Sequence, residues 1–318
     1  MNELKLIEKF GLTVSGYADF QGRVPEVISE IVASAPTLRD LIPQTGIKAN
    51  TSTDLNILST DVTWSSTDCI ATETGNNTVL KPRVISVKRL ADRELMCLDA
   101  LDAKVPQLQA AGAMNDTLSF SEALINLKVA KNAKALEKLA WQGSLTGGTG
   151  NLALADGYCE IAKGETGSLA YYSTMTAQTK ATIIDTIQSK VLDNRTDEMF
   201  ENGMTIYMSN SYASLLSQAL IDKNLFHFGQ VAENADGTMR FTYPGTNVKI
   251  IGTYGLNSVN HLYATIDGNL RFGTDLEADR ETVEVFYDKY HKQLVSDIVF
   301  AAGFQIELPS QVIFIKKV

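Results

Sequence analysis

The chain has few residues of the kinds that metal centres and disulfide scaffolds require. It contains three cysteines, Cys69, Cys97 and Cys159, and three histidines among 318 residues. No two cysteines stand in a C-x-x-C spacing, and no histidine lies in an H-E-x-x-H motif. The sequence therefore predicts reduced thiols rather than a disulfide framework or a zinc site, and we expect no cofactor and no metal.

Long apolar runs are also lacking, and so is an excess of positive charge. No stretch approaches the about 20 apolar residues that span a bilayer, and Glu3, Glu8 and Lys9 interrupt the region where a signal peptide would be apolar. We therefore expect a soluble protein made in the cytoplasm, with no membrane partner. The net charge of -9 argues against a dedicated nucleic-acid binder, because neutralising phosphates requires lysine and arginine.

No catalytic motif rises above background. Gly143 and Gly148 have the spacing of a phosphate-binding loop, but Thr149 stands where that loop requires lysine, and a helix rather than a strand precedes it. We interpret this glycine-rich stretch as a flexible linker. There is no G-x-S-x-G nucleophile motif either. The sequence therefore predicts that the protein is not an enzyme.

A cluster of acidic residues begins the last part of the chain: Asp275, Glu277, Asp279 and Glu281. It lacks the glycine and the spacing of a calcium-binding loop. We interpret the cluster as a solvated turn, or as charges that face lysine and arginine on a neighbouring copy.

The sequence of residues 1–45 predicts an extended arm that carries one small helix. Pro25 is a favourable first helical residue, and Val27, Ile28 and Ile31 form an apolar stripe behind it. An arm of this kind has little core of its own. It therefore packs either on the body of the protein or on a neighbouring copy.

Residues 46–95 predict a long two-stranded hairpin with its tip at residues 74–78. Threonine, serine and β-branched residues favour strand over helix in this region, and a polar two-stranded hairpin is marginal alone in water. Its return strand is the most basic stretch of the chain, with Lys81, Arg83, Lys88 and Arg89. This stretch could bind DNA, but without interleaved aromatic residues it favours salt bridges to an acidic neighbouring copy.

Residues 119–142 predict a long amphipathic helix, which we call the spine helix. Ser119 and Glu122 form a capping box, and Gly143 ends the pattern. The lysines of this segment lie mainly off the apolar stripe: Lys128, Lys131, Lys134 and Lys138. At about 1.5 Å per residue the helix exceeds 30 Å, so it crosses a whole domain.

The order of these parts resembles a known family. It is carried by "LAWQGSL" after the spine helix and by "DGNLRFGTD", "ETVEVFYD" and "VFAAGFQIELPSQVIFI" in the ending. The chain resembles the major capsid proteins of tailed bacteriophages, the Hong Kong ninety-seven lineage, whose fold encapsulins share. The resemblance implies an α+β fold with these parts: an N-terminal arm (1–45), an extended loop (46–95), a peripheral domain with the spine helix (96–150), an axial αβ domain (151–275) and a returning β segment (276–318).

The resemblance implies a structural role. A capsid protein of this lineage self-assembles into hexamers and pentamers of an icosahedral shell that encloses double-stranded DNA without sequence specificity. The implied partners are a portal protein, a separate scaffolding protein, and decoration or minor capsid proteins. With no scaffolding segment before the arm, either a separate scaffolding protein or a chain already processed to its mature form is implied, and the start at Met1 favours the separate protein. The implied location is the virion capsid, assembled in the cytoplasm of a bacterial host.

Contacts between subunits are expected from the arm helix and the basic return of the hairpin: Val27, Ile28, Ile31, Lys81, Arg83, Lys88 and Arg89. Removal of residues 66–82 should then leave a folded subunit that forms no stable shell. Two alternatives stay open: an encapsulin, with the same fold, a cargo enzyme and no portal, and a soluble αβ enzyme acting on a small molecule.

Overall fold

The structure is a computed structural model that describes residues 17–18, 24–60, 78–97, 120–224, 232–233, 238–275, 282–288, 290–291 and 293–318. Its α-helices are α1 (Val24–Ala33), α2 (Pro36–Arg39), α3 (Phe120–Gln142), α4 (Tyr158–Gly164), α5 (Ile183–Lys190), α6 (Asp197–Asn202) and α7 (Asn210–Asp222). None of these helices is long and apolar enough to cross a membrane.

The described strands form three sheets. In chain order the strands are β1 (Tyr17–Ala18), β2 (Pro43–Gln44), β3 (Ser52–Thr60), β4 (Thr78–Ser86), β5 (Lys88–Cys97), β6 (Tyr171–Met175), β7 (Thr205–Ser209), β8 (Ala232–Glu233), β9 (Met239–Thr242), β10 (Lys249–Thr253), β11 (Leu262–Thr265), β12 (Leu270–Gly273), β13 (Thr282–Asp288), β14 (Gln293–Ile306) and β15 (Val312–Lys317). A six-stranded sheet has the order β1-β13-β14-β12-β2 with β5 also on β14, a seven-stranded sheet has the order β6-β15-β11-β7-β10-β9-β8, and β3 pairs with β4 alone.

The spine helix is α3. Its 23 residues span about 35 Å at 1.5 Å per residue, and its apolar stripe is buried against the six-stranded sheet, with Ile125, Val129, Leu136 and Leu139 in that core. Ser119 of the predicted capping box lies outside the described residues. Three of the four lysines are exposed and lie off the apolar stripe, as predicted: Lys131, Lys134 and Lys138. The fourth, Lys128, is buried.

The arm helix α1 packs on the spine helix of its own subunit. Val27, Ile28 and Ile31 are almost fully buried and belong to the same apolar core as the inner face of α3. Of the two alternatives that the sequence left open, the body of the protein is therefore the surface that covers this stripe. Leu38 of α2 is buried in the same core.

The hairpin consists of β3 and β4. They pair antiparallel from Ser52 opposite Ser86 to Thr60 opposite Thr78, and the predicted tip lies outside the described residues except at Thr78. The hairpin ends at Ser86 rather than at residue 95. A carbon added at Gly303 would meet the Ser86 backbone oxygen at 2.4 Å, so glycine in β14 lets the chain cross closely here and continue as β5.

Strand β5 belongs to the body of the subunit. It pairs with β14 from Lys88 opposite Ala302 to Cys97 opposite Gln293, where the sequence predicts a continued hairpin. The hydrophobic side chain of Leu90 is buried between the sheet and the spine helix. The same strand carries Asp92 and Glu94, which meet Lys128 of the spine helix.

The glycine-rich stretch after the spine helix is folded, which corrects its interpretation as a flexible linker. Ser144 N–H donates to the Leu152 carbonyl at 2.8 Å, Gly148 N–H donates to the Ser144 carbonyl at 2.8 Å, and Leu145 N–H donates to Asp156 Oδ1 at 2.7 Å. A carbon added at Gly148 would lie 2.3 Å from the Leu152 carbonyl oxygen. The glycine therefore permits a close backbone approach, not motion.

A second apolar core surrounds the seven-stranded sheet. Helices α5 and α7 cover it with Ile183, Ile187 and Leu216, and β15 contributes Ile313 and Ile315. The last segment of the chain contributes strands to both sheets, because β13 and β14 lie in the six-stranded sheet and β15 lies in the seven-stranded one. The domain boundaries themselves stay a prediction.

Candidate assembly site

The root of the hairpin is held tightly by the body of the subunit. Ile85 and Val87 are fully buried in a small core with Ile47, Leu55 and Ala301. At its edge the Gln305 side chain donates to the Val84 carbonyl at 2.6 Å. The direction in which the hairpin leaves the subunit is therefore set by the subunit's own contacts.

Arg83 is a basic residue of the hairpin that forms an ion pair with the body of the subunit. Its guanidinium donates to Glu165 Oε1 at 2.9 Å, and both side chains are about one-third exposed or less. Glu165 follows α4 directly. Arg83 therefore anchors the hairpin to its own subunit in the free chain, so it is not available to a neighbour unless this ion pair opens.

The other predicted contact residues differ in their solvent exposure. Lys88 is half-buried and Arg89 is exposed, and Arg89 N–H lies 3.4 Å from Asn50 Oδ1. The side chain of Lys81 lies outside the described residues. Val27, Ile28 and Ile31 are covered within one subunit, so subunit contacts at α1 would have to use its exposed face, which carries Glu26, Ser29 and Glu30. The role of these seven residues between subunits stays a prediction.

A buried carboxylate joins the arm, the spine helix and the seven-stranded sheet. Glu137 of the spine helix has no exposed surface. Its Oε1 accepts from the Thr37 hydroxyl at 2.5 Å, from Trp141 Nε1 at 3.1 Å and from the Thr253 hydroxyl at 2.6 Å. Its Oε2 accepts from Thr37 N–H at 3.1 Å. Burial raises the pKa of Glu137, and the hydrogen bonds from Thr253, Thr37 and Trp141 oppose that rise.

The surroundings of Glu137 are aromatic and closely packed. Trp141 contacts the rings of Tyr158, Tyr207 and Tyr263 at centroid distances of 5.0 to 5.4 Å. A carbon added at Gly255 would lie 2.4 Å from Trp141 Cδ1. The sequence analysis missed this network; its one sequence signal is an acidic residue four positions before Trp141, on the face of α3 that is otherwise apolar.

Charged side chains also connect β5 to the spine helix. Lys128 Nζ lies 3.0 Å from Asp92 Oδ1 and 3.0 Å from Glu94 Oε2, and the Asn132 amide donates to Asp92 Oδ2 at 2.9 Å. On the other face of the sheet, Arg93 pairs with Asp297. The three remaining lysines of the spine helix, Lys131, Lys134 and Lys138, are exposed.

The described part of the chain shows no constellation of catalytic or metal-binding type. No group of three or more His, Cys, Asp or Glu residues there could hold a metal ion. Burial raises the pKa of the Cys159 thiol to about 12, which makes it a poor nucleophile. His261 is buried and accepts a hydrogen bond from Lys317 N–H, and His291 pairs with Asp288 on the surface. His227 lies outside the described residues.

Three solved structures from assembled particles are similar to this chain in fold. A capsid chain of an empty GTA particle superposes with a TM-score of 0.55 at 14% identity and covers 90% of each chain. A chain of the procapsid of satellite phage P4 gives 0.54 at 10% identity over 92% of this chain and 89% of that chain. The encapsulin complex of Synechococcus elongatus gives 0.52 at 8% identity over 88% and 86%.

The chain therefore has the Hong Kong ninety-seven type of capsid fold, and the predicted α+β fold class is confirmed. No protein-family model matches the chain, and no curated protein is significantly similar to it in sequence. The likeness therefore shows the fold alone, at identities too low to carry residue roles.

Proposed function

We propose that the chain is the major capsid protein of a tailed bacteriophage, which assembles into the icosahedral shell around double-stranded DNA. The observation that carries this proposal is the hairpin: nine residues of each strand pair with each other and with no other described strand, and the body holds the root. A two-stranded hairpin is marginal without further contacts. In a shell, neighbouring subunits supply those contacts. The same fold in phage and GTA capsid structures supports the proposal.

The remaining roles are part of the same proposal. Hexamers and pentamers of this chain would close the shell, with a portal protein at one vertex and a separate scaffolding protein during assembly. The protein would then act as a structural component of the virion, without catalytic activity, and would be assembled in the host cytoplasm. Its net charge of -9 suits a wall that does not hold the enclosed DNA tightly.

A hairpin-shortened chain tests the proposal. Because Thr60 and Thr78 are opposite each other, residues 61–77 can be replaced by Asn-Gly, which favours a two-residue turn. This change keeps both strands, whereas removal of 66–82 would take away more than half of β4. Electron microscopy after size-exclusion chromatography should show shells or rings of five and six copies for the natural chain, and a folded, unassembled subunit for the shortened one. A natural chain that stays monomeric even when its genomic neighbours are co-expressed contradicts the proposal.

An encapsulin is the second candidate, favoured by the match to the Synechococcus elongatus encapsulin complex. Both candidates predict shells from the purified chain. They differ in what shells from the native source contain: double-stranded DNA for the capsid, a cargo enzyme for the encapsulin. Nuclease-protected DNA in native particles decides for the capsid, and a protein cargo without DNA decides for the encapsulin.

A further inference from the structure

A pocket of about 400 Å³ lies between the C-terminal end of the spine helix, helix α4 and the residues that precede β11. We call it the loop pocket, because the glycine-rich stretch after the spine helix forms one of its walls. Ser144, Thr146 and Thr149 contribute hydroxyl groups to that wall, and Gly147 N–H donates to Ser144 Oγ at 3.0 Å. The wall is therefore preformed, and the pocket has a volume within the range of about 300–1,000 Å³ that is usual for small-molecule sites.

His261 places a hydrogen-bond donor without a protein partner in the loop pocket. The residue is only 7% exposed, and its Nδ1 accepts from Lys317 N–H at 3.0 Å. Because Nδ1 accepts, the proton of the neutral ring is on Nε2. Nε2–H makes no hydrogen bond with a described residue and is not enclosed by protein atoms, so it opens into the pocket that the ring lines. A polar group in such a recess needs an acceptor from outside the protein.

The surroundings of His261 are electropositive. Lys163 of α4 lines the same pocket, and burial together with the charges of Lys163, Lys316 and Lys317 lowers the pKa of His261. The single carboxylate among the described lining residues, that of Glu160, pairs with Lys163 at 2.6 Å. A chain with a net charge of -9 thus has three lysines around one neutral histidine. This arrangement favours a ligand of negative charge.

The donors of the loop pocket suit a phosphate group. They come from three separate elements: the ammonium group of Lys163 from α4, the Nε2–H of His261 from the segment before β11, and the hydroxyls from the loop. A carboxylate offers two oxygens, whereas a terminal phosphate offers three strong acceptors for charge-assisted hydrogen bonds. A diester phosphate of DNA carries a sugar on both sides and would have to enter a recess in which His261 is almost fully buried. A small molecule with a terminal phosphate fits this recess better.

We propose that the loop pocket binds a small molecule through a terminal phosphate group, with Lys163 and His261 as the principal donors. The lysine that the sequence lacks at position 149 is supplied in space by Lys163. A phosphate group fills only part of the volume, and Leu152 and Val259 provide apolar contacts for an organic group beside it. All lining residues belong to one chain, so the inference goes beyond the proposed shell function and does not depend on it.

Binding of radiolabelled inorganic phosphate to the full chain tests the inference. Equilibrium dialysis at neutral pH and moderate salt should show saturable binding of one phosphate per chain. Lys163→Gln should lower the affinity by about tenfold or more, because a charge-assisted hydrogen bond is lost. Glu160→Gln should raise it several-fold, because this change removes the carboxylate that repels the phosphate and occupies Lys163. A merely structural ion pair predicts the same direction for both substitutions.

Matched controls separate the pocket from general charge effects. Lys180 pairs with Asp222 at 2.7 Å, and neither residue lines the pocket. Lys180→Gln and Asp222→Asn repeat the two charge changes and should leave the affinity unchanged, because salt screens distant exposed charges. His261→Asn keeps an oxygen for Lys317 N–H but has no donor at the position of Nε2, so it should lower the affinity several-fold. Far-UV circular dichroism and thermal melting check that each variant is folded.

Competition identifies the source of the phosphate group. Unlabelled phosphate and glycerol 3-phosphate should each displace the label, and the tighter of the two shows whether the pocket takes the free ion or an organic monoester. Acetate should displace little. Displacement by acetate as effective as by phosphate overturns the assignment to phosphate, and displacement by a short DNA duplex at equal phosphate concentration assigns the lysines to nucleic acid instead. Binding that does not saturate, or that Lys163→Gln leaves unchanged, also overturns the inference. None of these results affects the shell function, which electron microscopy tests separately.

Discussion

The Thr37 hydroxyl donates to Glu137 Oε1 at 2.5 Å, across 100 residues of chain, in the interior of the subunit. Thr37 is in α2, next to the arm helix, and Glu137 is in the spine helix. Thr253, at the end of β10 in the seven-stranded sheet, donates to the same oxygen. One carboxylate therefore connects the arm, the spine helix and the seven-stranded sheet. The alignment of these three parts depends on it.

Glu137→Gln should destabilise the subunit. An amide with its NH₂ group at the Oε2 position faces Thr37 N–H, which cannot accept a hydrogen bond. With the NH₂ group at the Oε1 position, the hydroxyls of Thr37 and Thr253 lose the acceptor to which both donate, whereas Trp141 Nε1 still donates to Thr37 Oγ1 at 2.9 Å. At least one buried donor is then left without an acceptor, which costs about 1–3 kcal/mol. Urea unfolding of unassembled subunits measures this loss as a lower midpoint at an unchanged slope.

Glu160→Gln is the control for Glu137→Gln. Glu160 pairs with Lys163 at 2.6 Å on the same helix, and both side chains are about one-third exposed. Its loss should cost about 0–1 kcal/mol, because solvent screens such a pair. Equal effects of the two substitutions would contradict the structural role of the buried carboxylate.

Gly255→Ala should lower the stability of the subunit, although it adds only one methyl group. The added carbon would lie 2.4 Å from Trp141 Cδ1 and 2.8 Å from the Glu137 carbonyl oxygen, and the second of these is backbone of the spine helix. Forcing atoms into a filled core costs about 1–3 kcal/mol. A fall in the thermal midpoint with loss of near-ultraviolet circular dichroism is the expected readout.

Gly164→Ala is the matched comparison for Gly255→Ala. Gly164 ends α4, and a carbon added there would meet nothing within 4 Å. Alanine in helical backbone is favoured over glycine by up to about 1 kcal/mol, so this variant should be neutral or slightly more stable. A similar loss at both glycines would contradict the steric role of Gly255, because an effect through the unfolded chain would raise stability.

The elements with strong periodicity were predictable from the sequence, and the contacts between distant segments were not. The spine helix follows from its spacing of apolar residues and from Gly143. Glu137 lies on the same face as those apolar residues, and nothing local indicates that Thr37 and Thr253 meet it there. Buried polar groups need partners, but a sequence does not say which residues supply them.

In the hairpin, too, the local structure was predictable and the contacts with distant segments were not. Its strand character is local and follows from β-branched residues, whereas its end at Ser86 depends on Gly303, more than 200 residues later. The basic character of the return strand is also visible in the sequence, but the sequence does not show that Arg83 binds Glu165 of its own subunit. The helical pattern predicts that Lys131, Lys134 and Lys138 lie off the apolar stripe, but an apolar cavity beside the spine helix follows only from the fold.

Opening the Arg83–Glu165 pair should affect assembly more than folding. Arg83→Ala and Glu165→Gln should each lower stability by about 1 kcal/mol or less, because the pair is partly exposed. Each should also lower the shell yield, because the hairpin root loses its fixed direction. Thermal melting of the subunit and shell yield measured on the same samples separate the two effects. A double variant no worse than either single one identifies the pair itself as the cause.

Acid should destabilise the subunit through His261. Burial and the charges of Lys163, Lys316 and Lys317 lower the pKa of His261 to about 4, and its Nδ1 accepts from Lys317 N–H at 3.0 Å. The ring must be neutral for that bond, because a protonated Nδ1 would face another donor. The folded pKa lies below the usual value of about 6.5, so between these two values the unfolded chain binds the proton that the folded chain does not.

Stability from His261 is therefore complete above about pH 6.5 and falls as the pH drops toward about 4. His261→Gln should remove most of this slope, because its carbonyl oxygen accepts the Lys317 N–H without titrating in that window. Carboxyl groups titrate in the lower part of the range in both chains, so the difference between the two melting curves isolates the histidine. The exposed His291, changed to Gln, provides the control. Parallel pH curves for the natural chain and His261→Gln would exclude His261 as the acid-sensitive group, whereas convergence of the two chains toward pH 4 assigns the sensitivity to protonation of this buried ring.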